Sequence, residues 1–138
     1  MKIFVLFNHE LTNEQKTDIQ SMGIDEIIIP SEKVTSYWKN IKPSGEIDTD
    51  FLKEISVDID RRLNKGDYIL IQGEFGNTFY MVEFAFSRGF IPVYATTTRQ
   101  YEETKFHDGS ILTGHVFRHV SFRKYIRFST NSDGGPVI

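Results

Sequence analysis

Three short polar clusters hold the side chains of this chain that could do chemistry: Asn8-His9-Glu10, Gln72-Gly73-Glu74-Phe75-Gly76-Asn77-Thr78 and Thr96-Thr97-Thr98-Arg99. An imidazole titrates near neutrality, so His9 suits general acid or base work, with Asn8 able to orient it or a substrate oxygen. The bland alternative is that both only form a turn and help cap the next helix. In the second cluster, glycines let backbone approach a ligand, and N–H groups at a helix start favour negative charge. Its glycine spacing fits neither a dinucleotide fingerprint nor a Walker loop. Glu74 could meet sugar hydroxyls or accept a proton, or could be only a carboxylate favoured by the helix start. Thr97 and Thr98 offer hydroxyl donors, and Arg99 offers a planar fork that matches phosphate. Read blandly, they are a β-branched strand end and a solvated arginine. Taken alone, the second cluster marks an anion-friendly site without naming its chemistry.

Each cluster follows an apolar run of strand character. Residues 2–7 read as a central strand, apolar on both faces, and residues 67–71 and 90–96 as two more. Residues 25–29 give a second strand in chain order. Thr12 to Gln15 has the form of a capping box opening a helix that stops at Gly23. A helix starting at Pro30-Ser31 carries Val34, Tyr37, Trp38 and Ile41 on one face, and another covers 49–64 with Leu52, Ile55, Ile59 and Leu63. The pattern after the glycine turn predicts a helix over 79–88, apolar nearly all round and so buried on more than one side. Residues 101–106 and 111–122, around the turn His107-Asp108-Gly109-Ser110, suggest antiparallel strands, with helix as the alternative over 116–128. The alternation predicts an α/β Rossmann-like three-layer sandwich, with a parallel central sheet and a C-terminal antiparallel extension. Residues 1–128 read as one domain and 129–138 as a disordered tail. In such folds ligands bind at the carboxyl ends of the parallel strands, where the three clusters converge.

Composition narrows the possibilities. The chain has 138 residues, no cysteine and no apolar run of membrane-spanning length, so thiol catalysis, disulfides and thiolate metal sites are excluded. A cytoplasmic location without membrane contact is the expectation. No serine or cysteine nucleophile motif is present, and His115 and His119 lack a convincing third ligand for metal. The net charge of −3 hides an asymmetry: residues 1–98 hold 10 Lys/Arg against 15 Asp/Glu, and residues 99–128 hold 6 against 3. A basic segment in an acidic chain suggests a local anion site rather than a duplex-binding surface. A solvated edge strand, protected from pairing by its positive charges, explains the same segment.

With these residues assembled, the chain resembles a family of small CRISPR-associated proteins. The matching pieces are Phe7-Asn8-His9-Glu10-Leu11-Thr12, Gln72-Gly73-Glu74-Phe75-Gly76, Tyr94-Ala95-Thr96-Thr97 and His115-Val116-Phe117-Arg118-His119. The family looks like the stand-alone accessory proteins of type III CRISPR loci, related in fold to cyclic-oligoadenylate sensor domains. Several such proteins are ring nucleases, which linearise the cyclic messenger and switch off the antiviral response.

The resemblance implies binding of a cyclic oligoadenylate, cyclic tetra-adenylate first, and its cleavage by the ribose 2′-hydroxyl without metal or other cofactor. It implies phosphate binding by the backbone of Gly73 to Asn77 with Thr97, Thr98 and Arg99. Asn8 and His9 would position ribose or transfer a proton, and His9, Asn8 and Arg99 form the catalytic set. Gln72, Glu74 and Asn77 would meet ribose or adenine edges, with Phe75, Gly76 and Thr78 in the same wall. A homodimer, joined through the helix over 79–88, would offer a symmetric ligand the same residues twice; cover of that helix by the C-terminal strands is the simpler option. A non-catalytic binder that sequesters the cyclic nucleotide is the alternative function, and a small interaction protein is a third.

Overall fold

A computed structural model of the chain describes residues 1–129. The tail expected over 129–138 lies, apart from Ser129, outside the described residues. Strand and helix alternate: β1 (Lys2–Phe7), α1 (Asn13–Ser21), β2 (Glu26–Ile28), α2 (Glu32–Lys39), α3 (Thr49–Arg62), β3 (Tyr68–Gln72) and α4 (Phe75–Arg88). Two long strands follow, β4 (Ile91–Lys105) and β5 (Ile111–Lys124). They join one five-stranded sheet in the order β2-β1-β3-β4-β5. The first four are parallel and β5 runs antiparallel to β4. This is a mixed α/β fold.

The central strands are apolar on both faces because both faces are covered. Ile3, Val5 and Phe7 of β1 pack with Leu70 and Val93 under Ile19 of α1. Phe4, Leu6, Ile69 and Ile71 point the other way, against Trp38 of α2, Leu52, Ile55 and Ile59 of α3, and Met81 and Ala85 of α4. Caps written in the sequence start the helices. Gln15 N–H donates to Thr12 Oγ1 at 3.2 Å, and Thr12 N–H donates to Gln15 Oε1 at 2.9 Å, so the capping box is formed. Ser31 and Asp48 cap α2 and α3 more simply, each side chain accepting one N–H, from Val34 and Phe51.

Three elements depart from the sequence reading. β2 is three residues long, shorter than the expected 25–29. α4 begins at Phe75 rather than at residue 79, because the carboxylate of Glu74 accepts the first free N–H groups and starts the helix early. β4 is a single strand through Lys105, so Thr97, Thr98 and Arg99 lie inside it rather than after its end. Its pairing with β3 reaches only Val93, opposite Leu70. Beyond Ala95, β4 and β5 therefore continue as a two-stranded ribbon past the parallel sheet, with every residue of 97–105 exposed. Residues 116–124, which kept helix as an option, belong to this strand.

The ribbon is anchored at its base. A bulge makes Ser121 oppose Thr96 while His119 opposes Thr97, leaving Val120 as the extra residue and re-aiming the strand. His119 Nε2 then lies 2.7 Å from Asp18 Oδ2, and Arg118 donates to Glu14 Oε1 at 2.8 Å. Both acids belong to α1, so β5 packs on the α1 side and does not cover α4. On α4, Met81, Val82 and Ala85 are buried, while Phe75 and Phe79 are 90% and 71% exposed. Arg127 covers another flank of α4, 3.7 Å from Glu83 and over the ring of Phe86.

Candidate functional site

The sheet changes direction at β1. From β1 the chain moves outward to β2, then crosses back to lay β3 on the other side of β1. Such a reversal leaves a crevice outside the carboxyl ends of the two strands, the usual ligand position in open α/β sheets. Here the crevice lies between Asn8-His9 after β1 and Gly73-Glu74 after β3. The Asn8 N–H donates to the Gln72 carbonyl at 3.2 Å, tying the two strand ends together. Asn8, His9 and Glu10 are exposed. The His9 ring stands edge-on to Phe7, with centroids 5.5 Å apart.

The wall from Gln72 to Thr78 is built differently from the expected phosphate cradle. Gly76 and Asn77 N–H groups donate to the two carboxylate oxygens of Glu74 at 3.1 and 2.9 Å. Those donors are thus already neutralised by the chain's own carboxylate, and the bonds hold Glu74 below the usual carboxylate range, the Asn77 side-chain amide contributing most. Asn77 is 1% exposed. Its amide donates to Glu74 Oε1 at 2.6 Å and its carbonyl oxygen accepts from the Tyr37 hydroxyl at 2.7 Å, so both ends of the amide are taken up in bracing the wall. The Thr78 hydroxyl oxygen is buried. Gln72 Oε1 accepts the Ala95 N–H at 2.9 Å and so mends the β3–β4 ladder where it ends. Gly73 is required by packing: a Cβ there would meet Trp38 Nε1 at 2.6 Å. That leaves Glu74 and Phe75 exposed on this wall, with Gly76 partly exposed.

The third cluster is divided between faces. Side chains alternate along a strand, so Thr97 and Arg99 share the side of Val93, the α1 side. Thr98 points to the opposite side. Beyond the carboxyl edge the ribbon turns toward α1, where His119, opposite Thr97, and Arg118, opposite Thr98, both find acids; among the described residues no hydrogen bond or ion pair joins Thr97 or Arg99 to His9. His115 stands against Tyr101 farther out on the ribbon, with ring centroids 5.8 Å apart.

Two cavities flank the crevice. One, of about 460 Å³, includes His9, Glu10, Lys16, Thr35 and Lys39 in its lining. The other, of about 430 Å³, lies between the 40–48 connection and α4, where Tyr37, Lys42, Asp48, Glu74 and Asn77 meet. The sequence reading missed Tyr37, Lys16 and Lys39. Tyr37 looked like a core residue, and only its tertiary position gives its hydroxyl a partner forty residues away. Lys16 carried a faint signal, since it lies in the first turn after the Thr12 cap.

The fold and this edge define an α/β protein with a polar, two-cavity crevice at the carboxyl ends of its parallel strands. The chain belongs to the uncharacterized protein MJ1673 family, whose model matches residues 1–123. It is similar to the uncharacterized protein MJ1673 of Methanocaldococcus jannaschii, at 38% identity over 125 residues, which cover 90% of this chain and 96% of that protein. No solved structure matches.

Proposed function

We propose that this protein binds a cyclic oligoadenylate, cyclic tetra-adenylate first, and linearises it as a metal-independent ring nuclease that switches off type III CRISPR signalling in the cytoplasm. The observation that carries this reading is the crevice at the reversal point, where Asn8-His9 is tied to the end of β3 between two cavities. A Rossmann-like three-layer sandwich, with the β4–β5 ribbon as its antiparallel extension, is the finer description of the fold in this reading. In the reaction, the ribose 2′-hydroxyl loses its proton and attacks the adjacent phosphorus. The P–O5′ bond breaks, the leaving oxygen takes up a proton, and a 2′,3′-cyclic phosphate remains. His9 can serve as the proton carrier. Arg99 and Thr97 are the donors for the phosphoryl oxygens, where charge builds in the transition state. Glu74, with its lone pairs partly used by the helix, is left for ribose hydroxyls rather than phosphate.

The exposed Phe75 and Phe79 beside this wall support a homodimer that offers its crevice twice to a symmetric ring. A clean monomer in light scattering, with and without ligand, would remove that part. One observation favours the alternative, a binder that sequesters the nucleotide without cutting it. Among the described residues no hydrogen bond orients the His9 ring, and turnover needs a fixed base. Incubation with cyclic tetra-adenylate and chelator, read by mass spectrometry, decides: linear products ending in cyclic phosphate support the nuclease. Unchanged ligand that raises the melting temperature supports the binder, and neither effect would refute both. With turnover, His9→Ala lowers kcat by about 10²-fold or more, whereas Arg99→Ala acts on KM as well; full-rate cleavage by His9→Ala removes the acid–base role.

A further inference from the structure

We infer that the cavity enclosed by β1, β2, α1 and α2 is a subsite for a single adenylate unit, its apolar floor taking the base and Lys16 with Lys39 taking the phosphate. This rests on the cyclic-nucleotide reading and deepens it by adding a second place where the ligand is held. The floor is made by Phe7, Leu11, Ile27, Ile29 and Pro30. It opens just past β2, which is only three residues long. Ile29 remains 59% exposed. Uncovered apolar surface at the base of a concave site, rimmed by a few polar groups, is the usual make-up of a small-molecule pocket. A volume of about 460 Å³ suits one nucleotide and not a whole ring.

The rim supplies the charge. Lys16 and Lys39 line the same cavity from different helices, with His9 beside them and Glu10 as the single acid. Among the described residues, neither lysine is ion-paired. Lys16 sits in the first turn of α1, where the helix dipole disfavours a cation. Set against the dipole and without an ion-pair partner among the described residues, the Lys16 ammonium is available to an anion at the cavity. Two lysines without an ion-pair partner at the rim of a cavity with an apolar floor match an anionic group joined to a flat ring, and Glu10 can accept from the exocyclic amine or a ribose hydroxyl.

Calorimetric titration of the full chain with adenosine 5′-monophosphate and with adenosine tests this. The nucleotide is expected to bind, with Lys16→Ala and Lys39→Ala each weakening it about tenfold while adenosine affinity stays unchanged. Leu11→Trp, which fills the floor, should abolish both. Equal nucleotide affinity in the wild type and the double lysine variant, or no binding at millimolar concentration, overturns the subsite. Messenger cleavage with a KM unmoved by the lysine changes leaves the nuclease reading intact and removes the subsite. Lysine-dependent nucleotide binding by a chain that neither binds nor cuts the cyclic messenger does the reverse.

Discussion

Gly73→Ala sets a carbon 2.6 Å from Nε1 and 3.0 Å from Cε2 of Trp38. The indole cannot easily give way: it is 2% exposed and its N–H donates to the Gln72 carbonyl at 3.0 Å. Forcing a methyl group into a packed site costs about 1–3 kcal/mol. Displacing the indole from its acceptor adds about 0.5–1.5 kcal/mol. Gly73 has no positive φ, so the alanine also restricts the unfolded chain, which returns about 0.4–1 kcal/mol. The expected loss is about 2 kcal/mol, within a span of about 0.5–4 kcal/mol, or roughly 7 °C in Tm for a chain of this size. Urea unfolding followed by fluorescence measures it, since Trp38 is the single tryptophan and sits at the perturbed spot. Gly76→Ala is the matched control. Its added carbon would lie 2.7 Å from Ile47 Cδ1, the tip of an exposed side chain that can swing aside, and alanine is the better helix former by about 1 kcal/mol. Gly76→Ala should therefore be neutral or stabilising. A Gly73→Ala protein within 0.5 kcal/mol of wild type, or a control that loses as much, refutes the close-packing argument and reopens Gly73 as a ligand-facing position.

Asn77→Ala leaves the Tyr37 hydroxyl without its acceptor and removes the side-chain donor to Glu74, so unfolding free energy should fall by about 1–3 kcal/mol in urea titrations. Glu74 gives a pH signature. Its folded pKa is lowered from 4.5 by the Asn77 amide and then by the Asn77 and Gly76 N–H groups, so its contribution is present above that value and is lost as pH falls through the folded pKa. The stability difference between wild type and Glu74→Gln should be visible at pH 7 and shrink by pH 2.5; a constant difference contradicts the capping role. Asp18→Ala strips the partner from a buried imidazole, and should lower stability by about 1–3 kcal/mol and speed hydrogen exchange at the base of β5.

Much of the architecture was legible because local rules and packing agree. The doubly apolar residues 2–7 and 68–71 announce strands covered on two sides, and Thr12 and Ser31 open helices by a mechanism that is local. The start of α4 was misjudged for a physical reason: a glycine and an asparagine read as turn formers, but Glu74 satisfies their N–H groups and recruits them into the helix. The length of β4 was hidden as well. Thr97 to Arg99 look like a strand end until β5, pairing from twenty residues away, continues the strand.

By itself the sequence determined which residues could do chemistry and that Asn8-His9 and Gln72-Gly73 would follow buried strands, because side-chain type and hydrophobic period are local properties. Tertiary structure decided their availability. It made braces of Gln72 and Asn77, buried the Thr78 hydroxyl, carried Thr97 to Arg99 past the sheet in a continued strand, and occupied His119 with Asp18. It also drew Lys16 and Lys39 to one cavity. These outcomes depend on hydrogen bonds and contacts between residues far apart in the chain, and no window of sequence contains both partners.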